Sequence, residues 1–197
     1  YMSALNLLQA GSKADFLVSG IWSEKALGEA NRVGDAIAAW DDSENGFRSV
    51  PRNGDYEVRE DAAYLHYTSN NTLFGTQFHH LPDSGGKPRV VDASSDICGV
   101  GMEVSEHDLI YAGAQKNLGP SGVTVVIISP RAMQMVDGDL PTMLDYRTHI
   151  SKGSMFNTPN TTGIFVLDRV LAWVERNGGI QGAIERNKEK SGLIYGI

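Results

Sequence analysis

Residues 111 to 120 read Tyr-Ala-Gly-Ala-Gln-Lys-Asn-Leu-Gly-Pro, and this decapeptide places one lysine, Lys116, among small residues. An apolar run (109–111) precedes it, and a second apolar run (123–128) follows after a Gly-Pro-Ser-Gly turn. We therefore expect Lys116 at the end of a buried strand. A buried ammonium without a partner is costly or loses its proton, so such a lysine suits imine formation with a carbonyl group. The alternative is a lysine whose charged end reaches water.

The composition limits the class of protein. The chain has 197 residues, of which 41% are hydrophobic and 21% charged, and its formal net charge is -7. This length suits one domain with a sizeable core. The negative charge argues against nucleic acid as a partner, and no segment approaches the roughly 18 consecutive apolar residues of a membrane span. A single cysteine, Cys98, and the lack of a secretory signal lead us to expect a reducing cytoplasm.

Hydrophobic periodicity predicts strands that alternate with helices. The predicted strands are residues 14–18, 36–40, 62–68, 89–92, 109–112 and 123–129. The predicted helices cover residues 1–9, 163–176 and two segments that begin at residues 23 and 180, whereas residues 41–61 and 133–160 are predicted to be extended connections. This alternation predicts an α/β fold, a three-layer sandwich with a mostly parallel sheet covered on both faces. In such sheets ligands bind at the carboxyl ends of the strands.

Three candidate site residues follow predicted strands: Trp22 follows the first, Asp92 the fourth and Lys116 the fifth. In a parallel sheet these residues converge on one crevice. A lysine for an imine, a carboxylate for a ring nitrogen and an aromatic plane for stacking describe a site for pyridoxal phosphate (PLP). The carboxylate keeps the pyridine nitrogen protonated, so the ring accepts carbanion charge. Stacking on the indole contributes about 0.5 to 1.5 kcal/mol beyond burial.

Each of these residues also has a structural interpretation. Trp22 suits a core position, Asp92 suits a helix N-cap, and Thr72 suits the end of a turn. The adjacent pair His79-His80 lacks the spacing of metal ligands, and we expect no metal site. It is the ordered set of residues that favours a cofactor site.

Three longer stretches carry more specific motifs. They are Val-Asp-Ala-Ser-Ser-Asp (91–96), Ile-Tyr-Ala-Gly-Ala-Gln-Lys-Asn-Leu-Gly-Pro-Ser-Gly (110–122) and Gly-Ser-Met-Phe-Asn-Thr-Pro (153–159). Together with residues 19–22 and 173–179 they resemble the phosphoserine aminotransferase family. The resemblance implies the large domain of the fold type I PLP-dependent transferases, which is aspartate aminotransferase-like. It also implies transamination between L-glutamate and 3-phosphohydroxypyruvate, giving O-phospho-L-serine and 2-oxoglutarate in serine biosynthesis.

The resemblance also implies a role for each matching residue. Lys116 is implied to form the imine with PLP and to carry the proton, and Asp92 to pair with the pyridine nitrogen. Trp22 is implied to stack on the ring, Thr72 to bond its phenolic oxygen, and Gln115 to contact the cofactor phosphate.

The segment 153–159 implies a second subunit. Asn157 and Thr158 are implied to reach the phosphate of the neighbouring subunit's cofactor, so the resemblance implies a homodimer with shared active sites. Arg147 and His149 are candidates to assist an anionic substrate, with simple surface exposure as the alternative.

Several parts of the family pattern find no match. They are the glycine-rich phosphate-binding turn, the arginines that bind the substrate and the small C-terminal domain. We therefore expect residues 1–197 to be a single segment of the cofactor-binding large domain, without the family's N-terminal segment and C-terminal small domain. By itself this segment is expected to be inactive.

Two alternative functions stay open. One is another fold type I PLP enzyme, such as a serine-glyoxylate type aminotransferase or a cysteine desulfurase. The Asn-Thr-Pro motif (157–159) and the Ala-Gly-Ala-Gln-Lys-Asn motif (112–117) argue against it. The other is a non-catalytic dimerisation module, which cofactor uptake that depends on Lys116 would distinguish from an enzyme.

Overall fold

The alternating apolar runs form one central sheet with helices packed against it. The computed structural model describes residues 1 to 196, and the following elements belong to that range. The strands are β1 (Lys13–Val18), β2 (Asp35–Asp41), β3 (Ala62–Thr68), β4 (Asn70–Asn71), β5 (Thr76–Gln77), β6 (Arg89–Asp92), β7 (Leu109–Gly113) and β8 (Thr124–Ile128). The α-helices are α1 (Met2–Leu7), α2 (Ile21–Ala30), α3 (Pro130–Met135), α4 (Tyr146–Ser151), α5 (Thr161–Arg176) and α6 (Gly179–Tyr195).

The central sheet has the strand order β2-β1-β3-β6-β7-β8. The first five strands are parallel, and β8 runs antiparallel to β7. The strands β1 and β3 lie inside the sheet and are covered on both faces, so nearly every residue of each strand is buried. The mostly parallel α/β sheet predicted from the sequence is confirmed.

Different elements cover the two faces of the sheet. On one face, Phe16, Tyr64 and Leu109 pack in a cluster that includes residues of α1, α2 and α3. On the other face, Leu65 and neighbouring apolar residues pack against the loops that follow β2 and β5. Near β7 this second face also contacts α5. The carboxyl ends of the parallel strands are left at one edge of this layered core.

The connection predicted for residues 133–160 is wrong in part. It contains the end of α3, a 3₁₀ turn at Thr142–Leu144 and the helix α4. Each helix has only six residues, too few for a clear helical period. Their N-termini are instead fixed by caps, because Ser129 accepts a hydrogen bond from the Ala132 amide and Asp145 accepts one from the Arg147 amide.

The strands β4 and β5 form a small antiparallel hairpin directly after β3. The sequence analysis had given this segment no strand. Within residues 1–196, the structure contains no helix of the length and apolarity that a membrane crossing requires.

Candidate active site

The carboxyl ends of β3 and β6 border a cavity of about 110 Å³. It is lined by Trp22, Thr68, Asn70, Asp92, Ser94, Ser95, Gln115 and Lys116. Four residues proposed from the sequence, Trp22, Asp92, Gln115 and Lys116, therefore lie around one space. They lie at the carboxyl ends of three parallel strands: Trp22 follows β1, Asp92 ends β6, and Gln115 and Lys116 follow β7.

Lys116 lies three residues beyond the end of β7, in a tight turn. The turn lifts the side chain out of the sheet, so Lys116 is exposed, in agreement with the alternative of a lysine whose charged end reaches water. Its Nζ donates a hydrogen bond of 2.6 Å to Oγ1 of Thr72, in the turn between β4 and β5. Thr72 is therefore placed next to the lysine amine, although it does not line the cavity itself.

Asp92 is the last residue of β6, and its side chain is half-buried. Its Oδ1 accepts a hydrogen bond of 3.0 Å from the amide of Ser94. The segment that follows forms turns and no helix, so Asp92 orders a turn here rather than capping a helix. The hydroxyl of Ser94 accepts a hydrogen bond of 3.1 Å from the Gly113 amide, which ties the end of β6 to the end of β7.

Trp22 is the second residue of α2, and 44% of its surface is exposed, which argues against a core role. The turn before it is held by the Ser23 hydroxyl, which accepts hydrogen bonds from the amides of Ser19 (3.0 Å) and Gly20 (3.1 Å). Lys25 lies above the indole, with its Nζ 4.9 Å from the ring centroid. The indole is thus held at the cavity by the first turn of the helix.

Asn71 connects the hairpin to this same turn. Its Nδ2 donates to the hydroxyls of Ser19 (3.0 Å) and Thr76 (3.1 Å). A Cβ at Gly20 would lie 2.4 Å from Asn71 Oδ1, so the two segments approach more closely than any side chain at position 20 permits. The turn before Trp22 and the hairpin that carries Thr72 are therefore in direct contact, through Gly20 and Asn71.

Thr68 is a cavity residue that the sequence analysis missed. It ends β3, pairs in register with Asp92 of β6, and is 3% exposed. Its hydroxyl has no hydrogen-bond partner among the residues that the structure describes. The available signal was the alternation of β3, which places Thr68 on the same face as Asp92 once the strand register is known.

The same face of the sheet also carries a pair of ring side chains, the buried His66 and the half-buried Tyr111. Tyr111 pairs in register with Asp92, and its hydroxyl lies 2.9 Å from Nε2 of His66. Burial lowers the pKa of His66 to about 3, so this imidazole is neutral. Burial, and next the charge of Asp92, raise the pKa of Tyr111 well above its usual value. Asp92 is thus the one acidic residue in the row that Thr68, Asp92 and Tyr111 form.

The remaining residues proposed from the sequence lie away from the cavity. Asn157 and Thr158 are exposed in the connection between α4 and α5, and Asn157 Nδ2 contacts Met143 Sδ at 3.1 Å. The structure of one chain does not bring them to the cavity.

Arg147 and His149 are both engaged locally in α4. Arg147 forms a 2.8 Å ion pair with Asp145, and this hydrogen-bonded contact lowers the pKa of the Asp145 carboxyl. His149 Nε2 lies 2.9 Å from the backbone oxygen of Met143. No contact of either side chain within the described range directs it towards the cavity.

A second, larger cavity of about 360 Å³ lies near Asp96. Its main polar groups are paired with each other: Ser69 donates to Asp96 at 2.6 Å, and the Tyr67 hydroxyl lies 2.6 Å from His107 Nε2. Burial raises the pKa of Asp96. The pair His79-His80 lines this cavity, and residues 1–196 contain no cluster of three potential metal ligands.

Comparison with known proteins identifies the family. Residues 1–197 match the family model of Aminotransferase class-V. This chain belongs to the class-V aminotransferases. Within the family it is 47% identical over 194 residues to phosphoserine aminotransferase of Lysinibacillus sphaericus and 48% identical over 195 residues to that of Desulfotalea psychrophila. These alignments cover 98% and 99% of the chain but 54% of each relative, so the chain spans about half the length of the curated relatives it matches.

Solved structures of aminotransferases agree with the fold. Phosphoserine aminotransferase from Bacillus circulans subsp. alkalophilus has a TM-score of 0.94 at 41% identity, over 98% of this chain and 54% of that one. A PLP-bound phosphoserine aminotransferase from Trichomonas vaginalis has a TM-score of 0.87 at 30% identity, over 98% of this chain and 55% of that one. An aspartate aminotransferase from Thermus thermophilus, 20% identical over 99% of this chain and 58% of that one, shares the fold at a TM-score of 0.77. The predicted family resemblance and the aspartate aminotransferase-like fold are confirmed.

Proposed function

We propose that this chain is the cofactor-binding portion of a phosphoserine aminotransferase. The reaction transfers an amino group between L-glutamate and 3-phosphohydroxypyruvate and yields O-phospho-L-serine and 2-oxoglutarate. The observation that carries the proposal is the meeting of Lys116, Asp92 and Trp22 at one cavity. The 47% identity to a phosphoserine aminotransferase supports this choice among PLP enzymes.

The residues around the cavity fit pyridoxal phosphate. The cavity offers an amine, a carboxylate, an indole plane and the buried hydroxyl of Thr68, which lacks a partner within residues 1–196. These groups match a ligand that has a carbonyl carbon, a basic ring nitrogen and an aromatic face. PLP, when bound, supplies an electron sink for the carbanion at the substrate α-carbon.

Asp92 holds a proton on the ring nitrogen of the cofactor in this proposal. A carboxylate beside a basic nitrogen favours the protonated form of that nitrogen. The Ser94 amide fixes Oδ1 of Asp92, and the link from Ser94 to Gly113 keeps the carboxylate in position relative to the turn that carries Lys116.

Lys116 attaches the cofactor and moves the proton at the substrate α-carbon through its Nζ. The Thr72 hydroxyl accepts a hydrogen bond from Nζ and so limits where the amine can lie. Because general acid–base catalysis requires such positioning before a suitable pKa matters, Thr72 is a positioning residue for the amine as well as the proposed contact of the phenolic oxygen.

Trp22 and Gln115 complete the proposed cofactor contacts within one chain. The indole face of Trp22 excludes water from one side of the ring and fixes its plane. Gln115 lines the cavity beside Lys116 and is proposed to contact the phosphate.

The proposed site is shared between two subunits. The cavity of about 110 Å³ is smaller than the roughly 300 to 1,000 Å³ of complete ligand pockets, so other groups must enclose the phosphate and the substrate. Asn157 and Thr158 are proposed to do so from the partner of a homodimer. They follow two exposed apolar side chains, Met155 and Phe156, which favour a covered surface at this segment. The cytoplasmic location stays a prediction from the sequence.

The test measures phosphoserine formation from glutamate and 3-phosphohydroxypyruvate, together with PLP uptake followed by absorbance. We expect the isolated 197-residue chain to take up PLP and to show no turnover, because no residue of the cavity is proposed to bind the substrate carboxylate. Turnover at the rate of a complete aminotransferase would contradict that part of the proposal. A matched assay with cysteine as the substrate separates the desulfurase alternative, and a chain that takes up no PLP would support the dimerisation module.

A further inference from the structure

Thr68 occupies a special position at the cavity. Along the sheet, Thr68 of β3, Asp92 of β6 and Tyr111 of β7 form one row in register. Neighbouring strands lie about 4.8 Å apart, so the row places the Thr68 side chain next to the carboxylate proposed to contact the ring nitrogen. Two of these three residues, Thr68 and Asp92, line the cavity.

The Thr68 hydroxyl is also chemically exceptional. In the described part of the chain, three buried side-chain atoms lack a hydrogen-bond partner: His66 Nδ1, Thr68 Oγ1 and Asn71 Oδ1. Only Thr68 among these residues lines the cavity. A hydroxyl that is 97% buried and unpaired is destabilising unless a ligand or water completes its hydrogen bonds.

We propose that Thr68 is a further cofactor-binding residue, whose hydroxyl forms a hydrogen bond to a polar atom of bound PLP. The inference rests on the proposed function. It adds a contact from the end of β3, a strand to which the sequence assigned no site residue. The binding of the cofactor then supplies the partner that the protein by itself does not give to this hydroxyl.

The test compares two measurements on the variant Thr68→Val, which removes the hydroxyl and nearly preserves the shape. The dissociation constant of PLP is measured by absorbance titration, and the stability of the cofactor-free chain is measured by its denaturant midpoint. We expect PLP to bind about 2- to 12-fold more weakly, as the loss of one hydrogen bond predicts. The cofactor-free variant should unfold at the same or a higher denaturant concentration, because an unpaired buried hydroxyl has been removed.

Two further variants complete the experiment. Thr68→Ser keeps the hydroxyl and should bind PLP within about twofold of the wild type, since the hydrogen bond of roughly 1 kcal/mol is retained. Thr124→Val makes the same substitution at an exposed position of β8 and should change neither quantity. A merely structural hydroxyl would instead lower the midpoint in Thr68→Val.

The outcomes separate this inference from the proposed function. Unchanged PLP affinity in Thr68→Val, or a lower midpoint without cofactor, would overturn the assignment of Thr68 and leave the proposed function standing. A wild-type chain that takes up no PLP would overturn both.

Discussion

Replacing Gly20 with alanine tests whether the close contact between Gly20 and Asn71 holds both Trp22 and Thr72 in place. The new Cβ would lie 2.4 Å from Oδ1 and 2.9 Å from Cγ of Asn71, well inside van der Waals contact. Asn71 cannot swing away, because it is 1% exposed and its amide donates two hydrogen bonds. The φ of Gly20 is 176°, an extended conformation that alanine also adopts, so the penalty comes from the overlap alone. Overpacking costs about 1 to 3 kcal/mol, partly offset by a gain of about 0.4 to 1 kcal/mol from the less flexible unfolded chain.

The assay is denaturant unfolding of Gly20→Ala beside a matched control, Gly28→Ala. Gly28 lies in α2, the helix that follows Gly20, and Gly28→Ala meets no described atom within 4 Å of the added Cβ. This control should gain up to about 1 kcal/mol of stability, because alanine has a better helix propensity than glycine. We expect Gly20→Ala to lose about 1.3 kcal/mol, the difference between the midpoints of those two ranges, and to bind PLP more weakly because Trp22 or Thr72 must move. The loss in the double variant Gly20→Ala/Asn71→Ala should be smaller than the sum of the two single losses, because Asn71→Ala removes the overlap. Equal unfolding midpoints and equal PLP affinity for Gly20→Ala and the wild type would refute the shared contact.

Two other perturbations address the stability of the sheet. Asp15 is fully buried in β1, and Arg59 Nε lies 2.6 Å from its carboxylate. Arg59→Ala should therefore lower the free energy of unfolding in urea by about 3 to 5 kcal/mol, and the double variant Asp15→Asn/Arg59→Ala should lower it by less. A loss below about 1 kcal/mol in Arg59→Ala would contradict this. For His66, burial lowers the pKa to about 3, so between pH 6.5 and 3 the unfolded chain binds a proton that the folded chain does not. Its contribution to the free energy of unfolding should fall with acidification by up to about 1.4 kcal/mol per pH unit, which His66→Gln should abolish. Equal slopes for the two proteins would show that His66 is not buried as a neutral group.

The positions of the strands were readable from the sequence because each is a short apolar run bounded by turn residues. That was enough to place Asp92 and Trp22 at the same edge, since the carboxyl ends of parallel strands meet there. The short helices α3 and α4 were missed because six residues give too little periodicity. The sequence left both a buried and an exposed Lys116 open, because its exposure depends on how tightly the chain turns after β7.

The supports of the site depend on contacts between distant parts of the chain. Asn71 donates a hydrogen bond to Ser19, which lies 52 residues earlier, and no local sequence pattern predicts this pair. The position of Thr68 beside Asp92 follows from the register of β3 and β6, which a single sequence does not specify. The sequence therefore predicted residues with distinctive chemistry and missed those whose importance comes from packing.

The most direct test of the account is to identify the lysine that PLP modifies. The purified chain is incubated with PLP, reduced with borohydride, digested and analysed by mass spectrometry. We predict one major adduct, on Lys116. The variant Lys116→Ala should lose this adduct, and Lys25→Ala should retain it, although Lys25 lies over the neighbouring Trp22 ring. An adduct mainly on Lys25 or another lysine, or no adduct at all, would contradict the central claim that Lys116 is the cofactor lysine of this site.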